Sequence, residues 1–116
     1  MKKLTTIISA VMALGLGTNA SAQVNLTAET ASPSSAPGVS VIALSEAAAK
    51  YNVANMQVTT GQTLTNSVQN VAEGKSDVAA APFVLPFLLS RAVGPYAKVG
   101  KEKGAELASK LAVLYT

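Results

Sequence analysis

The chain has 116 residues and a mass of 11.7 kDa, room for one small domain or part of a larger one. It is 49% hydrophobic and 13% charged, against about 25% charged in ordinary soluble domains. It has no cysteine and no histidine, which excludes a disulfide framework, thiolate and ordinary zinc sites, and Ser/His/Asp or Cys/His nucleophile arrangements. The expectation is a protein that is not an enzyme and needs no cofactor or metal.

Part of the apolar excess sits at the N-terminus. Lys2 and Lys3 form a positive region, followed by the apolar run from Leu4 to Leu16. That run is shorter than the roughly 20 residues that span a bilayer. Ala20-Ser21-Ala22 is a small-residue cleavage signal. Residues 1–22 therefore read as a secretory signal peptide, with the mature protein starting at Gln23. A short membrane anchor is the alternative, and the length and the small-residue end speak against it. The precursor carries nine Lys and Arg against six Asp and Glu, with a pI near 9.3. Losing Lys2 and Lys3 leaves seven against six, so no basic surface for nucleic acid is expected. Lys98, Lys101 and Lys103 cluster locally, as a solvated face also does.

Val24 to Glu29 alternates apolar and polar residues, the pattern of a half-buried strand. Thr30 to Gly38 is rich in Ser, Thr and Pro and reads as a loop. A helix is predicted from Val39, with Val41, Leu44, Ala48 and Tyr51 at helical spacing and Asn52 as its terminator. Met56 to Thr60 is the second strand, followed by the loop Gly61-Gln62-Thr63. Leu64, Val68, Val71 and Ala72 then make an apolar stripe, between Thr63 as N-cap and Gly74 as C′ residue. Val78 to Ala81 reads as a short buried strand ended by Pro82. A short helix is predicted after Pro86, a loop from Val93 to Gly100, a helix over Ala105 to Leu111, and a further strand over Leu111 to Tyr115. The order implies an α/β fold with a mainly parallel sheet flanked by helices.

In such a sheet the loops after the strands lie at helix amino ends, where backbone N–H groups hold anionic or polar ligands. Two loops fit. Ser32, Ser34 and Ser35 present hydroxyls in the first, and loop and helix-cap chemistry explains them too. Thr60, Gly61, Gln62 and Thr63 form the second; Gly61 permits close approach and Gln62 both donates and accepts. Phe83 is a candidate apolar wall, with a place in the core as the alternative. Arg91, late in its helix, reads as a surface residue. Glu73 and Asp77 flank Gly74 as solvated turn residues.

Several segments together resemble one family. They are Ala31-Ser32-Pro33-Ser34-Ser35, Val58-Thr59-Thr60-Gly61, the run from Val71 to Val78, Gly94-Pro95-Tyr96 and Leu111 to Tyr115. The chain is similar to the TAXI family of solute-binding subunits of TRAP transporters, over nearly all of the mature chain but only the first part of the family's length. Ser34 and Ser35 stand where that family usually has glycines, and Ala81-Pro82-Phe83 lacks its usual polar pair. The resemblance implies one partial lobe of a type II periplasmic binding protein over residues 23–116, with the second lobe absent. It also implies capture of a small carboxylate or amino-acid solute in the periplasm, and delivery to the membrane permease subunits of a TRAP transporter. The competing expectation is a small secreted structural or interaction protein with no small-molecule ligand.

Overall fold

A computed structural model describes residues 23–115. The signal peptide expected over residues 1–22 lies outside the described residues. The elements in chain order are β1 (Val24–Glu29), α1 (Ala36–Lys50), β2 (Ala54–Thr59), α2 (Leu64–Ala72), β3 (Val78–Ala79), α3 (Val84–Arg91), a 3₁₀ helix (Gly94–Val99) and α4 (Lys101–Ser109). This is an α/β arrangement in which four helices flank a three-stranded parallel sheet of order β2-β1-β3. Among the described residues, no helix is long and apolar enough to cross a membrane.

The central strand is β1. Val24 to Glu29 pair in register with Ala54 to Thr59, while Ala28 and Glu29 alone pair with Val78 and Ala79. The first connection moves one way across the sheet and the second moves back. Right-handed crossovers then place α1 and α2 on opposite faces. Helix α1 packs on β2 with Val41 and Ala48 buried, and Ala28 and Ala54 are buried on that side of the sheet. On the other face the Asn70 amide of α2 donates to both carboxylate oxygens of Glu29, at 3.2 and 2.9 Å.

The helices end as their sequences dictate. At the end of α1, Asn52 has φ +55°, the Asn52 N–H donates to Ala49 and the Val53 N–H to Ala48. At the end of α2, Gly74 has φ +76°, the Gly74 N–H donates to Val71 and the Lys75 N–H to Asn70. Both are the paired-bond termination that a left-handed residue makes possible. Helix α3 ends in the same way at Ala92, φ +51°.

A second packing unit gathers α2, α3, the 3₁₀ helix and α4. Val68, Ala72, Leu89, Tyr96 and Leu107 are buried together, with Ala81, Leu85, Leu88 and Leu111 packed around them. Gly104 allows the approach of α4 to α3, because a Cβ there would overlap the Leu89 carbonyl oxygen. Tyr96 is 1% exposed, and its hydroxyl donates to the Thr65 carbonyl at 2.9 Å. Burial pushes the Tyr96 phenol above its ordinary value, since the charged form is poorly solvated there. A raised pKa contributes stability below the unfolded-state value, about 10, and loses it as pH rises through the folded value. Tyr96→Phe should cost about 1 kcal/mol near neutrality. In urea titrations, its gap from wild type should shrink as pH rises past about 10; a gap that widens would refute this account.

Several boundaries differ from expectation; β2 ends at Thr59 and the last helix at Ser109. Helix α1 begins at Ala36, with Pro37 inside its first turn, where the ring's fixed φ suits the helix. Strand β2 begins at Ala54, and β3 stops at Ala79. Helix α3 begins at Val84, and Pro86 sits in its first turn; α4 begins at Lys101. The loop expected over Val93 to Gly100 is largely a 3₁₀ helix, since Pro95 presets its first turn and Tyr96 anchors it in the core. The strand expected over Leu111 to Tyr115 is a correction. These residues have no regular structure, and Val113, Leu114 and Tyr115 are exposed. Among the described residues no strand lies beside these β-forming side chains, and propensity without a partner makes no ladder.

Candidate binding site

All three strands are parallel, so their carboxyl ends lie along one edge of the sheet. The connecting loops line that edge in the order 60–63, 30–35, 80–83. Each leads into a helix, so the amino ends of α1, α2 and α3 share it. None of these helices has an acidic residue in its first turn. The partial positive charge of three helix termini is therefore not offset by first-turn carboxylates.

The backbone joins the first two loops directly. The Thr30 N–H donates to the Thr59 carbonyl at 3.0 Å, the Gly61 N–H to Ala31 at 2.9 Å, and the Gln62 N–H to Thr30 at 3.1 Å. These bonds continue the β1–β2 ladder beyond its last pair. Gly61 takes φ +85° to make its bond, a conformation that favours glycine. Its N–H is thereby taken up by the neighbouring loop.

The side chains largely cap their own elements. Ser35 is the N-cap of α1: its hydroxyl accepts from the Gly38 N–H at 3.2 Å and donates to the Ser32 carbonyl at 2.6 Å. The hydroxyls of Ser32 and Ser34 are paired at 2.9 Å, and both residues are exposed. Thr63 is the N-cap of α2, accepting from the Asn66 N–H at 3.2 Å. The Gln62 amide oxygen folds over the same helix end and accepts from the Thr63 N–H at 3.0 Å and the Asn66 side-chain amide at 3.3 Å. Thr60 is exposed. Ser32, Ser34, Ser35, Thr60, Gly61, Gln62 and Thr63 thus fall on two joined loops. Phe83 stands on the third loop and is 74% exposed, so the core position weighed for it does not hold. Arg91 is a surface residue, its guanidinium 4.9 Å from the centre of the Phe87 ring.

Sequence reasoning missed two features, one at this edge and one at the amino end of β3. Thr30 is 0% exposed, and its hydroxyl oxygen has no hydrogen-bond partner. The signal was available: Thr30 continues the even-numbered register of β1 whose Ala28 is buried. Asp77 was read as a solvated turn residue and is instead a brace. One of its carboxylate oxygens accepts from the Thr27 N–H at 2.8 Å and the Thr27 hydroxyl at 3.1 Å, and its own N–H donates to the Thr27 carbonyl at 3.0 Å. It completes the ladder of β1 where β3 has not yet begun. Glu73 is held by Lys75 and by Gln69, and the Lys75 bond pulls its carboxyl below the ordinary range.

A shallow, open depression of about 520 Å³ lies elsewhere, lined by Val99 to Lys103 and Glu106. It contains none of the loop residues. Its Glu106 pairs with Lys103 at 3.3 Å and Lys110 at 3.4 Å, the pattern of a solvated helix face. Comparison with known families, with curated proteins and with solved structures finds no match.

Proposed function

We propose that this chain is a solute-binding receptor that takes up a small carboxylate or amino acid along the carboxyl edge of its sheet. The backbone joining of loops 30–35 and 60–63 carries the reading, because it holds two helix amino ends side by side. Such termini favour a negative group without supplying a nucleophile or a base. In this reading the fold is one partial lobe of a type II binding protein, in keeping with the resemblance to the TAXI family. The protein works in the periplasm, catalyses nothing, and delivers its solute to the permease subunits of a TRAP transporter.

Calorimetric titration and thermal-shift screening against small carboxylates and amino acids test the proposal. One compound class should raise the unfolding midpoint in a saturable way. Gln62→Ala should alter the affinity for it about tenfold, the effect of one charge-assisted hydrogen bond gained or lost at the helix end. A panel without any saturable shift would overturn the receptor reading. It would favour the second one, a secreted interaction protein, for which the exposed Phe83 and, on α3, Val84 and Phe87 speak.

A further inference from the structure

Strand β2 forms one edge of the sheet, and β1 is its sole strand neighbour among the described residues. The Thr59 carbonyl accepts from Thr30, so the backbone groups of Thr59, Gln57 and Asn55 face β1. Alternation along the strand turns those of Ala54, Met56 and Val58 outward, away from the sheet. An open edge of this kind is a template for another strand. Proteins that keep such edges single place lysine, proline or a bulge on them. Here none of these is present. No charged residue occurs from Tyr51 to Ala72, and β2 contains no proline and pairs without a bulge. Tyr51 and Val53, just before the strand, are 70% and 66% exposed.

The side-chain pattern of β2 matches itself when reversed. Ala54, Met56 and Val58 share the face that carries α1, while Asn55, Gln57 and Thr59 share the other face and are exposed. Two copies related by a twofold axis across this edge would set apolar residues beside apolar ones and amides beside amides, with no like charges opposed. Closed twofold pairing of identical patches is the commonest form of homo-oligomer.

We propose that the uncharged, outward-facing edge of β2 docks a second copy of this chain, antiparallel, so that two three-stranded sheets become one continuous sheet. The inference is independent of the solute-binding reading, since the carboxyl-edge loops take no part in it.

Sedimentation velocity across a range of concentrations tests it on the full chain. Wild type should show a reversible monomer–dimer equilibrium, and the amide hydrogens of Met56 and Val58 should exchange more slowly as the dimer fills. The double variant Asn55→Lys/Gln57→Lys opposes like charges across the axis and should weaken dimerisation about tenfold or more. The variant Asn55→Glu/Gln57→Glu should behave likewise alone. Mixing the two variants should restore a dimer. Circular dichroism of each variant shows that the fold is kept. Monomers at every concentration, or a dimer untouched by both charge variants, would overturn the proposal.

Discussion

Leu89→Ala should destabilise the protein by about 2–5 kcal/mol, read as a fall in the urea midpoint with the slope unchanged. Leu89 is 0% exposed at the point where α3 meets α2, the 3₁₀ helix and α4. The loss depends on how far neighbours collapse into the space. They have little room to do so, because α4 already lies against the backbone of α3 at Gly104 and Ala92. The core is also small. Among the described residues, Tyr96, Leu89, Val41, Thr30 and Ser67 are the largest fully buried side chains, and three of these carry hydroxyls. A measured change under about 1 kcal/mol would show that the helical unit is looser than its packing indicates.

Gly38→Ala should have a comparable effect and the opposite sign to helix propensity. In an exposed helix interior, alanine for glycine stabilises by about 1 kcal/mol. Here the new methyl would overlap the Ser32 carbonyl oxygen and press on Pro33 Cα at 3.0 Å. That carbonyl accepts the Ser35 N–H at 3.0 Å and the Ser35 hydroxyl at 2.6 Å. Relief of the overlap therefore undoes the N-cap of α1 and shifts the loop beside Gly61 and Gln62. We expect a loss of about 3 kcal/mol from overpacking and a broken cap together. Chemical denaturation measures it, and a variant as stable as wild type would mean that the loop yields freely.

Much of the local structure could be read from the chain. Strand β1 follows directly from its alternation, and α2 lies between the Thr63 cap and Gly74 as expected. Asn52 ends α1 because its side chain tolerates the left-handed conformation. Each of these signals lies within a few residues of the feature it sets. The failures are of another kind. Asp77 braces Thr27 across fifty positions of sequence, and Gly38 and Gly104 are needed where other segments come close. Spacing says nothing about such encounters. Leu111 to Tyr115 has the composition of a strand, but pairing is a property of two segments. At the carboxyl edge of the sheet the chain's composition marked both loops, while the bond between Gly61 and Ala31 and the orphaned hydroxyl of Thr30 emerged only from tertiary structure.

The unequal ladders of β1 also bear on the order of assembly. Pairing Asn25 with Asn55 closes a separation of 30 residues, and pairing Thr27 with Asp77 closes one of 50. Loop-closure entropy separates these by less than about 0.6 kcal/mol, since even a doubling of length costs no more. The number of paired residues decides instead: six positions on β2 against two on β3. The β1–α1–β2 half is thus positioned to nucleate folding, with the α2–α3–α4 unit closing onto it late through the brief β3 seam. On unfolding, that seam is expected to be where the two halves part first.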